Sequence, residues 1–176
     1  MHASDPIATD WLVVDVAAGL LVGVVGLVGL ASASTSPAYL RSSSTELVRA
    51  ERGPRLYFGA LLAFWAVLVA VPLAGNLGIA WLLIEATTAA SVLLVGFSGR
   101  ATALEAGWKY LVLTSLGLGV ALLGIVLLAP SVEGGIGALS WDSLTSIEGS
   151  DRVTTAFVLL LAGLAAKVGW APVHNW

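Results

Sequence analysis

The chain has 176 residues, of which 58% are hydrophobic and 11% charged, and its mean hydropathy is +0.95. Soluble domains carry about 25% charged residues, so this composition excludes a soluble domain and, with its long apolar runs, predicts an integral membrane protein. The chain has no cysteine, which argues against disulfides, haem attachment and iron–sulfur ligation by its own residues. Its two histidines, His2 and His174, are far apart in sequence, so we predict no metal site. We also expect no cofactor and no binding of nucleic acid.

The apolar runs predict five transmembrane helices, and therefore an all-α, polytopic helix bundle. We place residues 1–176 in one partial transmembrane domain. The predicted spans cover residues 11–33, 56–74, 77–97, 104–129 and 153–169. Their lengths are close to the roughly 20 residues that cross about 30 Å of hydrocarbon. Asp15 lies near the outer start of the first span, where we favour a structural role.

The charges in the loops predict how the helices are oriented across the membrane. The first loop, residues 34–55, contains four arginines, and the short link after the third span contains Arg100, with Lys109 shortly after it. By the positive-inside rule these segments belong in the cytoplasm. The N-terminus and the acidic loop over residues 130–152 then lie outside. We expect a multi-pass protein of the cell inner (plasma) membrane.

Glu85 is the most informative residue, because it lies well inside the third apolar span and is followed by Thr87 and Thr88. Its side chain is too short to reach the interface as a lysine can, so it must pair, contact water or take up a proton. Acids at this depth are functional by default. We favour a carboxylate that carries protons or coordinates a substrate. The alternative is a structural acid that hydrogen-bonds to neighbouring helices.

Lys167 is the complementary group in the fifth span. It follows the almost wholly apolar residues 155–166, and we predict that its helix breaks between Gly169 and Pro172. A charge near the bilayer centre costs roughly 2.5–3.5 kcal/mol on insertion scales, which favours a functional amine over a lysine that snorkels to the interface. Two unit charges about 4 Å apart interact by roughly 4 kcal/mol at an effective dielectric constant near 20. A contact between Lys167 and Glu85 would therefore act as a proton switch, and we keep that pairing as a hypothesis.

Three further ionisable residues are candidates. Glu105 and Lys109 are spaced i, i+4 on the fourth predicted helix, and we favour an ion pair at the cytoplasmic helix start over a role in a relay. Trp108 and Tyr110 beside them fit an aromatic belt. His174, beyond the predicted break, could exchange protons near neutral pH, although we favour capping or packing over a relay.

Three stretches together resemble a known family. They are NLGIAWLLIEATTAASVLLVGF (residues 76–97), ALEAGWKYLVLTSLGLGVALLG (103–124) and AAKVGWAPVHNW (165–176). In this order and spacing they look like the antiporter-like, proton-conducting membrane subunits of complex I and the group 4 hydrogenases, with near-identical runs in hydrogenase-4 component F. Residues 13–22, VVDVAAGLLV, also resemble the third transmembrane helix of these subunits. The resemblance therefore covers most of the chain.

The resemblance implies a partial inverted-repeat antiporter fold, truncated at both ends, with two helices missing in front and many more expected to follow. It implies that Glu85 and Lys167 form the essential pair of a proton half-channel. The helix that carries the lysine would break at Pro172 and open onto a buried water chain. Lys109 and His174 would lie near the same polar axis.

We therefore interpret the chain as a fragment of a proton-translocating, antiporter-like membrane subunit of a respiratory NADH–quinone oxidoreductase or a membrane-bound hydrogenase complex. Its expected partners are the other membrane subunits, protons or Na⁺, and the lipid bilayer. Oxidoreductase chemistry would belong to other subunits. Three alternatives stay open: a subunit of a multi-subunit Na⁺/H⁺ antiporter, a subunit of an inorganic-carbon uptake complex, and a membrane scaffold that transports nothing.

Overall fold

The computed structural model describes residues 7–9, 11–42 and 53–170. Two short strands, β1 (Ile7–Ala8) and β2 (Val13–Val14), pair antiparallel at the start of the chain. The helices are α1 (Val16–Ser42), α2 (Gly53–Ala70), α3 (Leu77–Gly96), α4 (Ala101–Leu128), α5 (Trp141–Thr145) and α6 (Asp151–Val168). Three 3₁₀ turns lie between them, at Val71–Leu73, Ala129–Ser131 and Gly135–Ala138.

The described ranges contain four helices that are long and apolar enough to cross a membrane. They are α1, α2 with its 3₁₀ turn, α3, and α4 with its 3₁₀ turn. Helix α6 has 18 residues and carries three charged ones, Asp151, Arg152 and Lys167. The predicted all-α, polytopic fold class is confirmed, whereas the fifth span at residues 153–169 stays a prediction.

The first helix begins later than we predicted. We expected a membrane span from residue 11, but the strand pair precedes the helix, which starts at Val16. Asp15 explains the boundary, because its Oδ1 accepts a hydrogen bond from the backbone N–H of Ala18 at 2.7 Å. This is the arrangement of a helix N-cap. Asp15 therefore has the structural contact that we favoured for it.

The first helix also ends later than we predicted. It runs to Ser42, past the expected end at residue 33 and into the stretch that we took for a polar loop. Hydroxyl groups in this segment bond back to carbonyl oxygens one turn earlier, as Ser36 does to Ser32 at 2.7 Å. Such bonds satisfy the hydroxyls within the helix. Pro37 also lies inside this helix. Residues 43–52 of the predicted loop, which include Arg49 and Arg52, lie outside the described residues.

The segment over residues 130–152 is folded, although we predicted a loop. It contains α5, and Leu139 is fully buried in a cluster with Ile125 at the end of the bundle. The indole N–H of Trp141 donates to the carbonyl oxygen of Ala74 at 2.7 Å. The segment therefore covers the end of the bundle at which α2 is linked to α3.

Close packing joins the helices that carry the candidate residues. A Cβ placed on Gly124 of α4 would lie only 2.7 Å from the carbonyl oxygen of Ala156 in α6. Small residues at a helix interface allow this kind of approach. On α3, the indole N–H of Trp81 donates to the carbonyl oxygen of Leu118 in α4 at 2.8 Å. Helices α3, α4 and α6 therefore form one packed unit.

Charged residues separate to the two ends of the bundle. At one end Leu12 forms a β-bridge with Ala74, and at the opposite end the ring of Tyr57 contacts Tyr39 and Phe97. The segments at the first end carry the acidic residues Glu133, Asp142, Glu148 and Asp151, and those at the second end carry the basic residues Arg41, Arg55 and Arg100. Acidic side chains thus predominate at the first end and basic ones at the second, with Arg152 and Glu105 as the exceptions.

Candidate functional site

Lys167 lies in the last turn of α6 and contacts both α3 and α4. Its Nζ donates to Thr88 Oγ1 at 2.7 Å and to Tyr110 OH at 2.8 Å. The same Nζ lies 5.2 Å from the centroid of the Tyr110 ring, so it is at the hydroxyl edge of the ring. Thr88 is fully buried. Two hydroxyl oxygens therefore hold the amine of the half-buried Lys167 at the interface of three helices.

Glu85 lies one turn before Thr88 on α3. Its Oε1 accepts a hydrogen bond from the hydroxyl of Ser115 on α4 at 2.7 Å. Its Oε2 is buried and has no hydrogen-bond partner among the described residues. A buried carboxylate oxygen without a partner is costly. This oxygen is therefore a position at which a proton, a water molecule or a cation can bind.

The structure does not show the hypothesised ion pair between Glu85 and Lys167. Within the described part of the chain, the ion pair closer than 4.0 Å joins Lys109 and Glu105 instead. The acid and the amine nevertheless share one interface. Thr88 follows Glu85 by three residues, and residues at i and i+3 lie on the same face of a helix. The two groups are therefore about one helical turn apart along α3, and each is bonded to a hydroxyl.

The site lies in the middle of the bundle. Tyr110 is nine residues into α4 and Thr88 is eight residues before the end of α3, which places them roughly 12–14 Å from those helix ends at 1.5 Å per residue. Helix α6 ends at this depth, where Gly169 adopts a φ of 75° as its C-cap. The left-handed conformation favours glycine. The predicted end of the helix is observed at Gly169, whereas Pro172 lies outside the described residues.

Glu105 and Lys109 form an exposed ion pair near the start of α4. The two charged groups are 2.6 Å apart, and their side chains are 63% and 56% exposed. This is the contact that we favoured for the pair, and exposed ion pairs contribute little to stability. Trp108, 66% exposed, keeps a position suited to an aromatic belt. Tyr110 does not fit an aromatic belt, because its hydroxyl points into the bundle toward Lys167.

Three hydroxyl residues of the site, Thr88, Tyr110 and Ser115, were not identified from the sequence as partners of the ionisable groups. One signal was present, since Thr88 follows Glu85 at a spacing that places both on one helix face. His174 lies outside the described residues, so its role in a relay stays a prediction. Within the ranges that the structure describes, no three His, Cys, Asp or Glu side chains come close enough to hold a metal ion.

Comparison with known proteins relates this arrangement to one family. The model of the family described as "NADH:quinone oxidoreductase/Mrp antiporter, TM" matches residues 74–176, which include α3, α4 and α6. A hydrogenase-4 component F homolog from Methylacidiphilum infernorum is 36% identical over 108 residues, which cover 57% of this chain and 23% of the relative. NADH-quinone oxidoreductase subunit N from Cereibacter sphaeroides is 33% identical over 170 residues, which cover 96% of this chain and 35% of the relative.

Subunit N from Xanthomonas euvesicatoria is 42% identical over 83 residues, which cover 45% of this chain and 16% of the relative. The chain thus spans little more than a third of the length of these relatives at most. The family match includes the helices that carry Glu85 and Lys167 and extends over more than half of the chain. The chain therefore belongs to the antiporter-like transmembrane family of NADH:quinone oxidoreductases and Mrp antiporters.

Proposed function

We propose that this chain is part of a subunit that translocates protons in a respiratory NADH–quinone oxidoreductase or a membrane-bound hydrogenase complex. One observation carries the proposal: the amine of Lys167 is held in the middle of an apolar helix bundle, one turn from the partly buried acid Glu85. Ionisable groups at this depth are costly and mark ion pathways. Glu85 and Lys167 are therefore the proposed proton-carrying residues.

Proton transfer would follow because the carboxylate of Glu85 competes with the hydroxyls of Thr88 and Tyr110 for the amine of Lys167. An ammonium about 4 Å from a carboxylate gains roughly 4 kcal/mol at an effective dielectric constant near 20, which is comparable with the roughly 3–6 kcal/mol that two hydrogen bonds from a charged amine contribute. Lys167 therefore keeps its proton when it moves one turn along α3 toward an ionised Glu85. When Glu85 takes up a proton, Lys167 loses this attraction and passes its own proton onward. One proton enters the site for each proton that leaves.

We place the acidic end of the bundle outside the cell and the basic end in the cytoplasm, because basic residues are enriched in cytoplasmic loops. The N-terminus of this chain is then outside, in a multi-pass protein of the inner membrane. Helix α6 would be the fifth span and would begin at the outer end. Of the proposed relay residues, His174 would lie beyond the end of α6, and the exposed Lys109–Glu105 pair fits an interfacial ion pair better than a relay.

The names of two relatives support a respiratory or hydrogenase complex, because one relative is a hydrogenase-4 component F homolog and the other is an NADH-quinone oxidoreductase subunit. The activity would belong to a full-length subunit together with partner membrane subunits, and those partners would carry out the redox chemistry. The family description also includes Mrp antiporters. A subunit of a Na⁺/H⁺ antiporter is therefore the second candidate, and a dependence of transport on Na⁺ would distinguish it.

The test uses the full-length subunit in its assembled complex, in inverted membrane vesicles energised with NADH or with hydrogen. We expect Glu85→Gln and Lys167→Ala each to lower the initial rate of proton uptake by tenfold or more, since positioned acid–base groups typically contribute about 10²–10⁴-fold. Arg152→Ala is the matched control, because it removes a cation from the exposed start of the same helix. It should retain the rate of the unmodified complex.

Two outcomes would contradict the proposal. Unchanged proton uptake in an assembled Lys167→Ala complex would favour a scaffold that transports nothing. Transport that requires Na⁺ and is not driven by NADH or hydrogen would favour the antiporter.

A further inference from the structure

Both ionisable groups of the site are held by hydroxyls. Lys167 Nζ bonds to Thr88 Oγ1 at 2.7 Å and to Tyr110 OH at 2.8 Å, and Glu85 Oε1 bonds to the hydroxyl of Ser115 at 2.7 Å. Within the described residues no carboxylate lies within 4.0 Å of Lys167 Nζ. The choice of hydroxyl partners has a chemical consequence for a residue that must exchange a proton.

A hydroxyl both donates and accepts hydrogen bonds, whereas an ionised carboxylate only accepts them. An ammonium has three N–H donors and no lone pair, so a hydroxyl must accept from it. A neutral amine has a lone pair, and the same hydroxyl can rotate to donate to that lone pair. A carboxylate partner would lose its best contact when the lysine gives up its proton. Hydroxyl partners keep a contact in both protonation states.

The two hydroxyls come from two helices, with Thr88 on α3 and Tyr110 on α4. The Nζ of Lys167 lies 2.8 Å from the Tyr110 hydroxyl and 5.2 Å from the ring centroid. The amine therefore lies beyond the hydroxyl edge of the ring, and its contact with Tyr110 is with the oxygen.

The neighbouring threonine shows that the contact of Thr88 is specific. Thr87 and Thr88 are both buried, at 5% and 0% exposure. The hydroxyl of Thr87 donates to the carbonyl oxygen of Ile84 at 2.7 Å, which is the usual bond of a threonine inside a helix. The hydroxyl of Thr88 lies 3.4 Å from the same carbonyl and 2.7 Å from Lys167 Nζ. Two adjacent threonines thus differ in which partner they contact closely.

We propose that Thr88 and Tyr110 are positioning residues that bind Lys167 in either of its protonation states, so that the lysine has the same hydrogen-bonded position to return to whether or not it carries a proton. This inference rests on the proposed role of Lys167 in proton translocation. It assigns to the two hydroxyls a function distinct from packing.

The experiment compares variants of the full-length subunit in its assembled complex, by the initial rate of proton uptake in inverted vesicles. Thr88→Val keeps the shape of the side chain but removes the hydroxyl, and we expect it to lower the rate about tenfold, the order expected for losing one hydrogen bond to a charged group. Thr88→Ser keeps the hydroxyl and removes the methyl group, and it should restore the rate. Thr87→Val is the matched control and should leave the rate within about twofold of the unmodified complex.

Tyr110→Phe keeps the ring but loses the hydroxyl, and it should also lower the rate about tenfold. The double variant with Thr88→Val should approach the residual rate of Lys167→Ala, because both substitutions act on one amine. A structural role for Thr88 predicts the opposite pattern, in which Val retains the rate and Ser loses it. That result, or a rate in Thr88→Val equal to that of Thr87→Val, would overturn the inference.

The same experiment separates this inference from the proposed function. If Lys167→Ala retains proton uptake, the proposed function is wrong, and the inference is wrong with it. If Lys167→Ala abolishes proton uptake while Thr88→Val and Tyr110→Phe do not reduce it, the lysine acts without its hydroxyl partners and only the inference is wrong.

Discussion

Replacing Gly163 by alanine tests whether the close packing of α6 on α4 positions the lysine. A Cβ at this residue would collide with the carbonyl oxygen of Gly117 and would lie 2.5 Å from the backbone nitrogen of Ala121. Ordinary contacts of a Cβ begin near 3.4 Å, so the two helices must separate locally by about 1 Å. Lys167 follows Gly163 by four residues and therefore lies on the same face of α6.

That separation is large compared with the range of distances over which Lys167 can keep its hydrogen bonds. It would lengthen the 2.8 Å distance between Lys167 Nζ and Tyr110 OH to more than 3.5 Å, beyond the range of a hydrogen bond. Extra methyl groups in a packed interface typically cost about 1–3 kcal/mol. We therefore expect the Gly163→Ala subunit to be less stable and to translocate protons severalfold more slowly.

Two assays check this prediction. Thermal stability is followed by size-exclusion chromatography of the detergent-solubilised complex after heating, and proton uptake is followed in inverted vesicles. Gly119→Ala is the matched control, because a Cβ at this exposed position of α4 has no atom within 4 Å. If the Gly163 and Gly119 variants behave alike in both assays, the glycine contact does not position the lysine, and the reasoning fails.

Three further substitutions make separate predictions. Ser115→Ala removes the hydroxyl bonded to Glu85 Oε1, so proton uptake should slow about tenfold. Ser115→Thr keeps a hydroxyl and should keep the rate of proton uptake. An unaffected alanine variant would show that this hydrogen bond is dispensable. Asn76→Ala removes the side-chain N-cap of α3, and it should lower the free energy of unfolding by about 1 kcal/mol. Thermal unfolding of the purified subunit measures that loss, and equal stability would contradict it. Lys109→Gln breaks an exposed ion pair and should leave proton uptake unchanged; a large loss of uptake would instead assign Lys109 to the relay.

The apolar runs predicted the middle helices well, because length and hydrophobicity determine a membrane span almost alone. Helix α3 covers Leu77–Gly96 where residues 77–97 were predicted. The ends of α1 could not be read in the same way. Its start depends on the N-cap contact of Asp15, and its end depends on serines that bond back within the helix. Both contacts are local, but the same residue types are equally common in loops.

The candidate site was predicted only in part. Glu85 and Lys167 were evident, because a charge within an apolar run is rare whatever surrounds it. Their partners could not be identified from the sequence, because serine and threonine occur in several spans and the rotation of each helix follows from its packing. Tyr110 shows the difficulty, since its position near the helix start suggested an aromatic belt. The packing of α6 against α4 instead turns its hydroxyl toward the lysine.

The end of α6 in the middle of the bundle has an electrostatic consequence. The last carbonyl groups of a helix have no partner further along it, and together they carry about half a negative charge. Lys167 belongs to this last turn, just before Gly169. A cation at a helix C-terminus gains about 0.3–1 kcal/mol at an exposed surface and up to about 2 kcal/mol where it is partly buried. The backbone itself thus supplies a permanent negative pole that stays in place whatever the charge on any acidic side chain.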